Sequence, residues 1–342
     1  MNIADAFGYM LIFDFDNTVA CTFLPSPGKM GVLQAYPAAT KDILGQAGLE
    51  IYGRIGGIKN RAPLELIIDI LENGDRKSLI EQARKFFQSQ RQGLLDQQLV
   101  PASKGFPMVW KDDDDWDPTE VITELLVQCK LSYLLEEVGK SFSEGEYQGK
   151  KWPLPCLGFL NFFQAIKELN KDQAINIQLA ILSSGHDTFI NKTFALWDIP
   201  WSGLSVTDDD LRGKKYPLEP SERVKPSVDL FNLLHATWIR QQAGSQTDFQ
   251  IIGHAIATRP RMIYFGDHVK IDGELAVNAG VPFGLFDSEG KILSNGLNGN
   301  FFSFSDWNLM AEFFCQEKTK ELLRQNKPFQ EMIAPFLQGE QI

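Results

Sequence analysis

Tyr9-Met10-Leu11-Ile12-Phe13-Asp14-Phe15-Asp16-Asn17-Thr18 sets five consecutive apolar residues directly against two acids. An unbroken apolar run of this length suits a parallel strand buried on both faces, with the acids at its carboxyl end. Open parallel sheets place their sites at such ends. Residues i and i+2 of an extended segment project the same way, so Asp14 and Asp16 are presented to one spot. Paired carboxylates suit Mg²⁺, a hard cation that takes oxygen ligands and keeps waters for a phosphate. A carboxylate can also attack phosphorus and form an aspartyl-phosphate. Alone, an Asp-x-Asp pair fits solvated turn residues equally well; the apolar run before it and Asn17-Thr18 after it strengthen the site reading.

The same arrangement recurs along the chain. Ile177 to Leu182 reads as a strand and delivers Ser183-Ser184. Met262 to Phe265 reads as another and delivers Gly266-Asp267, with Asp272 just beyond. Helical patterns cover Gly158–Leu169, Thr188–Trp197, Pro226–Trp238 and Gly273–Ala279, the last closed by Gly280, and Pro282–Phe286 reads as the final strand. Alternating strands and helices predict an α/β fold with a doubly wound parallel sheet.

Each piece carries chemistry. The Ser183 hydroxyl can donate to a phosphoryl oxygen, although Ser183-Ser184-Gly185 taken alone is a turn. Lys225, ahead of Pro226 at a helix start, can neutralise phosphate and nucleophile together; taken alone it is a surface lysine. Asp267 and Asp272 add two carboxylates that close a metal site and hold its surroundings, and Asp272 also suits a helix N-cap. The four pieces occur in order, each at a strand end or a helix start.

Between the first strand and the second, the texture changes. Leu64, Ile67, Ile68 and Leu71, then Leu79, Ala83, Phe86 and Phe87, recur at helical spacing. Asp117-Pro118-Thr119-Glu120 opens a further helix through Ile122, Leu125, Leu126, Cys129 and Tyr133, ending near Gly139. Asp112–Asp115 lacks the spacing of a calcium loop and reads as a solvated acidic turn. Residues 239–260, rich in Gln, Gly, Ser and Thr, read as an inserted loop, and the last forty residues as helical.

A chain of 342 residues predicts about two domains. A formal net charge of −11 argues against a nucleic-acid backbone or an anionic membrane as partner. The four cysteines show no CxxC spacing, which favours reduced thiols over a zinc site or a disulfide framework. Tyr9–Phe13 is too short for a signal-peptide core, and no run has the length of a membrane span. A cytoplasmic location is expected. His235 falls on an apolar helix and is expected in the core; His186 and His268 adjoin motif residues at strand ends.

Together the pieces resemble the haloacid dehalogenase-like (HAD) superfamily, in its phosphatase branch with a helical, C1-type cap inserted between the first and second motifs. The resemblance covers about half the chain. It implies a core of residues 1–19 and 156–316, a cap of 20–155 and a C-terminal helical extension of 317–342. It implies Asp14 as nucleophile and Mg²⁺ ligand, and Asp16 as backbone-carbonyl ligand and general acid, then base. Thr18 supports the loop, Ser183 and Ser184 bind the phosphoryl group, Lys225 stabilises charge and Asp267 ligates the metal. Asp272 completes the acidic set as a ligand or by orienting water or Lys225. Family dehalogenases and phosphonatases lack the second acid, so Asp16 points to a phosphatase or phosphomutase. In the cap, Arg54-Ile55-Gly56-Gly57-Ile58-Lys59-Asn60-Arg61 is similar to a glycine-containing specificity loop, whose Arg54, Lys59 and Arg61 either face an anionic substrate or are solvated. Residues 95–150 match nothing in the smaller family members. The implied activity is Mg²⁺-dependent hydrolysis of a small soluble phosphorylated metabolite; a phosphosugar mutase and a non-catalytic binding protein on the same scaffold are the alternatives.

Overall fold

The computed structural model describes residues 7–25, 30–58, 61–97, 110, 117–143, 151–207, 210, 225–243, 248–289 and 300–337. The first strand, β1 (Tyr9–Phe13), is buried throughout and lies inside a six-stranded sheet. Its neighbours are β4 (Ile177–Ser183) on one side and β6 (Met262–Gly266) on the other, both parallel to it. Outside them run β5 (Leu204–Thr207), β7 (Phe283–Phe286) and β8 (Phe301–Phe304), giving the order β5-β4-β1-β6-β7-β8, all parallel. The chain therefore builds outward from β1 twice, in opposite directions. The ends of β1, β4 and β6 flank the point of reversal, where such sheets open a crevice.

Strand alternation divides the core. Tyr9, Leu11 and Phe13 face one side, with Phe159, Phe162, Trp307 and Phe314. Met10 and Ile12 face the other, with Leu230, Leu234, Trp238, Leu275 and Ala276. Both faces of β1 are thus covered, which is why its sequence is continuously apolar. The helices Trp307–Cys315 and Phe329–Leu337 belong to the first layer: Phe329, Met332 and Ile333 are buried in it, and the Tyr9 hydroxyl donates to the Lys327 carbonyl at 2.7 Å.

Between β2 (Ala20–Cys21) and β3 (Leu154–Pro155) the chain forms helices α1 (Val32–Arg54), α2 (Pro63–Glu72), α3 (Arg76–Gln97) and α4 (Thr119–Ser143). The fold is thus an α/β doubly wound sheet with an inserted helical cap. β2 and β3 pair antiparallel, Ala20 with Pro155 and Cys21 with Leu154, so the passages into and out of the cap run side by side. No helix among the described residues is long and apolar enough to cross a membrane.

Three sequence readings are corrected. Residues 239–260 are not a loop: helices Asp229–Ala243 and Asp248–Thr258 occupy most of them. Pro282–Phe286 is not the last strand, since β8 follows it, and β5 is a strand that the sequence did not signal. The fourth cap helix runs past Gly139 to Ser143. The acidic run Asp112–Asp115 lies outside the described residues.

One aromatic cluster reaches the loop that follows β1. Trp307 is fully buried, with ring centroids 5.5 Å from Phe13, 5.2 Å from Phe265 and 4.8 Å from Phe304. Its indole N–H donates to the Thr18 carbonyl at 2.8 Å. Trp307→Phe retains much of the ring packing but leaves that carbonyl buried and unpaired, at a cost of about 1–3 kcal/mol. Chemical denaturation is expected to show a loss of that size; unchanged stability would mean that the indole bond does not hold the loop.

Candidate active site

Just past β1, the Asp14 N–H donates to the Phe265 carbonyl at 2.8 Å and stays in step with β6. The chain then coils: Val19 N–H returns to the Phe15 carbonyl, and Asn17 N–H to the Ala20 carbonyl at 2.7 Å. Asn17 adopts a left-handed conformation, φ 56°, which Asn tolerates better than bulkier residues. This loop buries Asp14, fully buries Thr18 and half-buries Asp16.

Lys225 joins the loop to the far strand. Its ammonium donates to Asp14 Oδ1 at 2.6 Å and to Asp272 Oδ1 at 2.8 Å, with the side chain 3 % exposed. Asp272 is gripped further. The Tyr264 hydroxyl donates to the same oxygen at 2.9 Å, and the His268 N–H to Oδ2 at 3.1 Å. Tyr264 also lies beneath the Lys225 ammonium, 5.5 Å from ring centroid to Nζ. A widened turn over Val269–Gly273 brings Asp272 back against β6. A Cβ on Gly266 would come within 2.4 Å of the Asp272 side chain, so only glycine permits this approach.

Asp14, Asp267 and Asp272 each offer an oxygen, and the three lie within 4.8 Å of one another. Four carboxyl groups, counting Asp16, thus gather near the Lys225 ammonium. Burial raises Asp14 to about 7, Asp272 and Asp16 push the same way, and Lys225 opposes them. Asp267 is held well above the usual carboxylate range by burial, then by Asp14 and Asp272. Burial works against the Lys225 ammonium, but Asp14 and Asp272 outweigh it and raise its pKa. Both members of the Lys225–Asp14 pair therefore shift upward. The lysine is flanked by two carboxylates, while Asp14 shares that one ammonium with Asp272 and is crowded by Asp267. A buried set of hard oxygen donors with surplus negative charge and no soft ligand fits a divalent cation such as Mg²⁺.

Asp16 is directed elsewhere. Its Oδ1 accepts from the Thr22 hydroxyl at 2.5 Å, and its Oδ2 lies on the Gly185 side, 3.7 Å from where a Cβ on that glycine would stand. The same point is 3.4 Å from Ser183 Oγ, so Asp16 and Ser183 flank Gly185. Burial raises the Asp16 carboxyl, while Thr22, Lys130 and Lys225 pull it down. Lys130 comes from cap helix α4, is 5 % exposed and stands 5.0 Å over the Tyr36 ring. The cap therefore places a cation within reach of the core loop.

Ser183 is fully buried at the end of β4 and accepts from the Gly185 N–H at 3.1 Å; Ser184 is exposed. Thr18 Oγ1 is buried with no hydrogen-bond partner. In the cap, Arg61 pairs with Asp69 at 2.8 Å and donates to the Gly57 carbonyl at 2.9 Å, so its guanidinium is engaged within the cap. Arg54 is exposed on the last turn of α1, and Lys59 lies outside the described residues. His268 accepts from the Ile271 N–H, and His186 precedes the helix Asp187–Leu196. His235 is a core residue, bonded to Thr258 Oγ1 at 2.8 Å and lowered to about 4 by burial, with Arg259 adding.

Thr22, Lys130 and Tyr264 carry no mark in the sequence. Tyr264 reads as one more apolar strand residue, Thr22 follows the motif at no diagnostic spacing, and Lys130 sits in an ordinary amphipathic helix.

No family model and no curated protein matches the chain. Among solved structures it is similar to a HAD phosphatase from Thermococcus onnurineus, at 14 % identity over 90 % of this chain and 98 % of that one, with a TM-score of 0.38. It is similar to CbbY from Rhodobacter sphaeroides in complex with phosphate, at 13 % identity over 92 % and 100 %, TM-score 0.40. It is also similar to a 2-haloacid dehalogenase from Pseudomonas syringae pv. Tomato DC3000, at 13 % identity over 89 % and 96 %, TM-score 0.39. Likeness of this degree says nothing of activity.

Proposed function

We propose that this chain is a HAD-type phosphatase, hydrolysing a small soluble phosphomonoester through a phospho-aspartate on Asp14 with Mg²⁺ as cofactor. The observation that carries the reading is Lys225 clamped between Asp14 and Asp272, beside Asp267, with Asp16 held apart by Thr22. Asp14, Asp267 and Asp272 would hold the cation. When bound, it neutralises charge on the phosphoryl oxygens and the carboxylates that face them.

Lys225 holds one oxygen of Asp14 and leaves the other to attack phosphorus. As the Asp14–phosphorus bond forms, the bond to the leaving oxygen breaks. Asp16, whose carboxyl pKa burial raises, protonates that oxygen. Water then attacks phosphorus, Asp16 takes its proton, and Asp14 is released with inorganic phosphate. Lys225 stabilises charge throughout, and Ser183, which flanks Gly185 together with Asp16, binds the phosphoryl group. The cap, with Lys130 held near Asp16, would exclude bulk water during the reaction.

The test is release of inorganic phosphate from an aryl phosphate and a panel of phosphorylated metabolites with Mg²⁺. Activity is expected to vanish in excess EDTA and return with Mg²⁺. Undiminished hydrolysis in EDTA would contradict the reading. Halide release from a 2-haloacid without phosphatase activity would assign the chain to dehalogenation, and isomerisation of a sugar phosphate without phosphate release to a mutase.

Tyr264 acts through Asp272. Tyr264→Phe keeps the ring under Lys225 and removes one hydrogen bond to a charged group, about 1.5–3 kcal/mol, or roughly 10- to 100-fold in kcat. KM is expected to change little. If the effect runs through Asp272, Tyr264→Phe adds almost nothing in an Asp272→Asn background. Full additivity of the two substitutions would show that Tyr264 is only packing.

A further inference from the structure

Cys21 and Cys156 are 135 residues apart in sequence, yet their sulfurs lie 3.6 Å apart. Both are free thiols. They sit where the chain crosses between the sheet and the cap: Cys21 ends β2, and Cys156 directly follows β3. Ladder pairing of Ala20 with Pro155 and of Cys21 with Leu154, and the Cys156 N–H donating to the Val19 carbonyl at 2.9 Å, hold the two passages in register. Cys156 is 3 % exposed and its thiol lies 3.3 Å from the Asn17 carbonyl, inside the loop that carries Asp14 and Asp16. Cys21 is half-buried and can be reached from solvent.

We propose that Cys21 and Cys156 are a modification site, a thiol pair that a peroxide converts reversibly into a disulfide tying the entry to the exit of the cap. The Cys21 thiolate attacks a peroxide oxygen, the O–O bond breaks, and with hydrogen peroxide the products are a Cys21 sulfenic acid and water. The Cys156 sulfur then attacks the Cys21 sulfur and expels hydroxide, and the proton that Cys156 loses in the attack converts that hydroxide to a second water. Two thiols and one hydrogen peroxide thus give one disulfide and two waters; a dithiol reductant reverses the step by exchange. Exposure favours this order, since Cys21 is half-buried while Cys156 is 3 % exposed.

Two consequences follow for the fold. The bond closes a loop containing the whole cap, so the two passages can no longer part. It also removes the only hydrogen Cys156 Sγ can give to the Asn17 carbonyl, in a loop that already holds Asn17 at φ 56°.

The experiment treats the folded full chain with a small excess of hydrogen peroxide, alkylates remaining thiols and maps the peptides by mass. A peptide containing Cys21 linked to one containing Cys156, two hydrogens lighter than the thiol pair, is expected. It should disappear after dithiothreitol and fail to form in Cys21→Ser and in Cys156→Ser, while Cys129 and Cys315 remain alkylated. Recovery of both Cys21 and Cys156 as alkylated thiols overturns the proposal. So does sulfinic acid on Cys21 beside an alkylated Cys156, or a linkage that appears only in denaturant. The readout does not require activity, so its failure is separable from failure of the proposed hydrolysis.

Discussion

Asp14→Asn is expected to leave no measurable turnover. An amide does not attack phosphorus at a useful rate, and removing a covalent nucleophile costs on the order of 10⁶-fold in kcat. The same substitution should stabilise the metal-free protein at alkaline pH. Asp14 is raised by burial from 3.8 to about 7. A carboxyl whose folded pKa exceeds its unfolded value binds more protons folded than unfolded, so stability is lost as pH rises through that interval. At pH 4 the variant and the parent should therefore be similar. At pH 8 the variant should be the more stable, by at most about 4 kcal/mol for a shift of about three units. Asn can still accept the Lys225 hydrogen bond, so the comparison isolates the charge. Thermal melts with chelator across pH 4–8 give the measurement. A variant less stable than the parent at every pH would show that Asp14 is not held against its own ionisation.

Lys225→Met should be the most damaging change to the folded, metal-free protein. Its ammonium serves two buried carboxylates. Removing one partner of a buried ion pair costs about 3–5 kcal/mol, because the other is left without compensation. Lys225 is raised in pKa, so its own contribution is intact throughout the neutral range, and the pH dependence comes from the carboxyl groups. Below about pH 7 Asp14 takes up its proton, and the deficit should shrink. Turnover should fall by about 10²–10³-fold, as when a preorganised charge-stabilising group is removed. Denaturant titrations at pH 5 and pH 8 separate the two effects. Equal stability loss at both pH values would mean that Lys225 is held by packing rather than by the carboxylates.

What could be read without coordinates was where chemistry interrupts a local pattern. Asp14 and Asp16 break an apolar run, Asp267 follows another, and Lys225 stands before a proline at a helix start. Those residues converge because parallel strands end on the same side of a sheet. The supporting residues have no local signature. Tyr264 keeps the strand's apolar pattern and shows its role only because its hydroxyl reaches Asp272 across the site. Thr22 and Trp307 act through partners that folding brings near, the latter 289 residues from Thr18. β5 and β8 are four residues each at the sheet's edges, and their Ser and Thr positions weaken the strand signal. Residues 239–260 misled because their Gln, Gly, Ser and Thr content imitates a loop, although Gln241 and Gln242 lie in the last turn of one helix and Asp248–Thr258 forms another.

The most direct measurement uses Asp16→Asn with a labelled aryl phosphate and Mg²⁺, quenched within the first turnover. The aryl group leaves with little need of a proton, so Asp14 should still accept the phosphoryl group. Water should then attack slowly without Asp16, by about 10²–10⁴-fold, and label should accumulate. Peptide mapping should find it on Asp14 alone, at close to one phosphate per chain. Label on any other residue, or product formation with no labelled protein at any time, would contradict a covalent phospho-aspartate at Asp14.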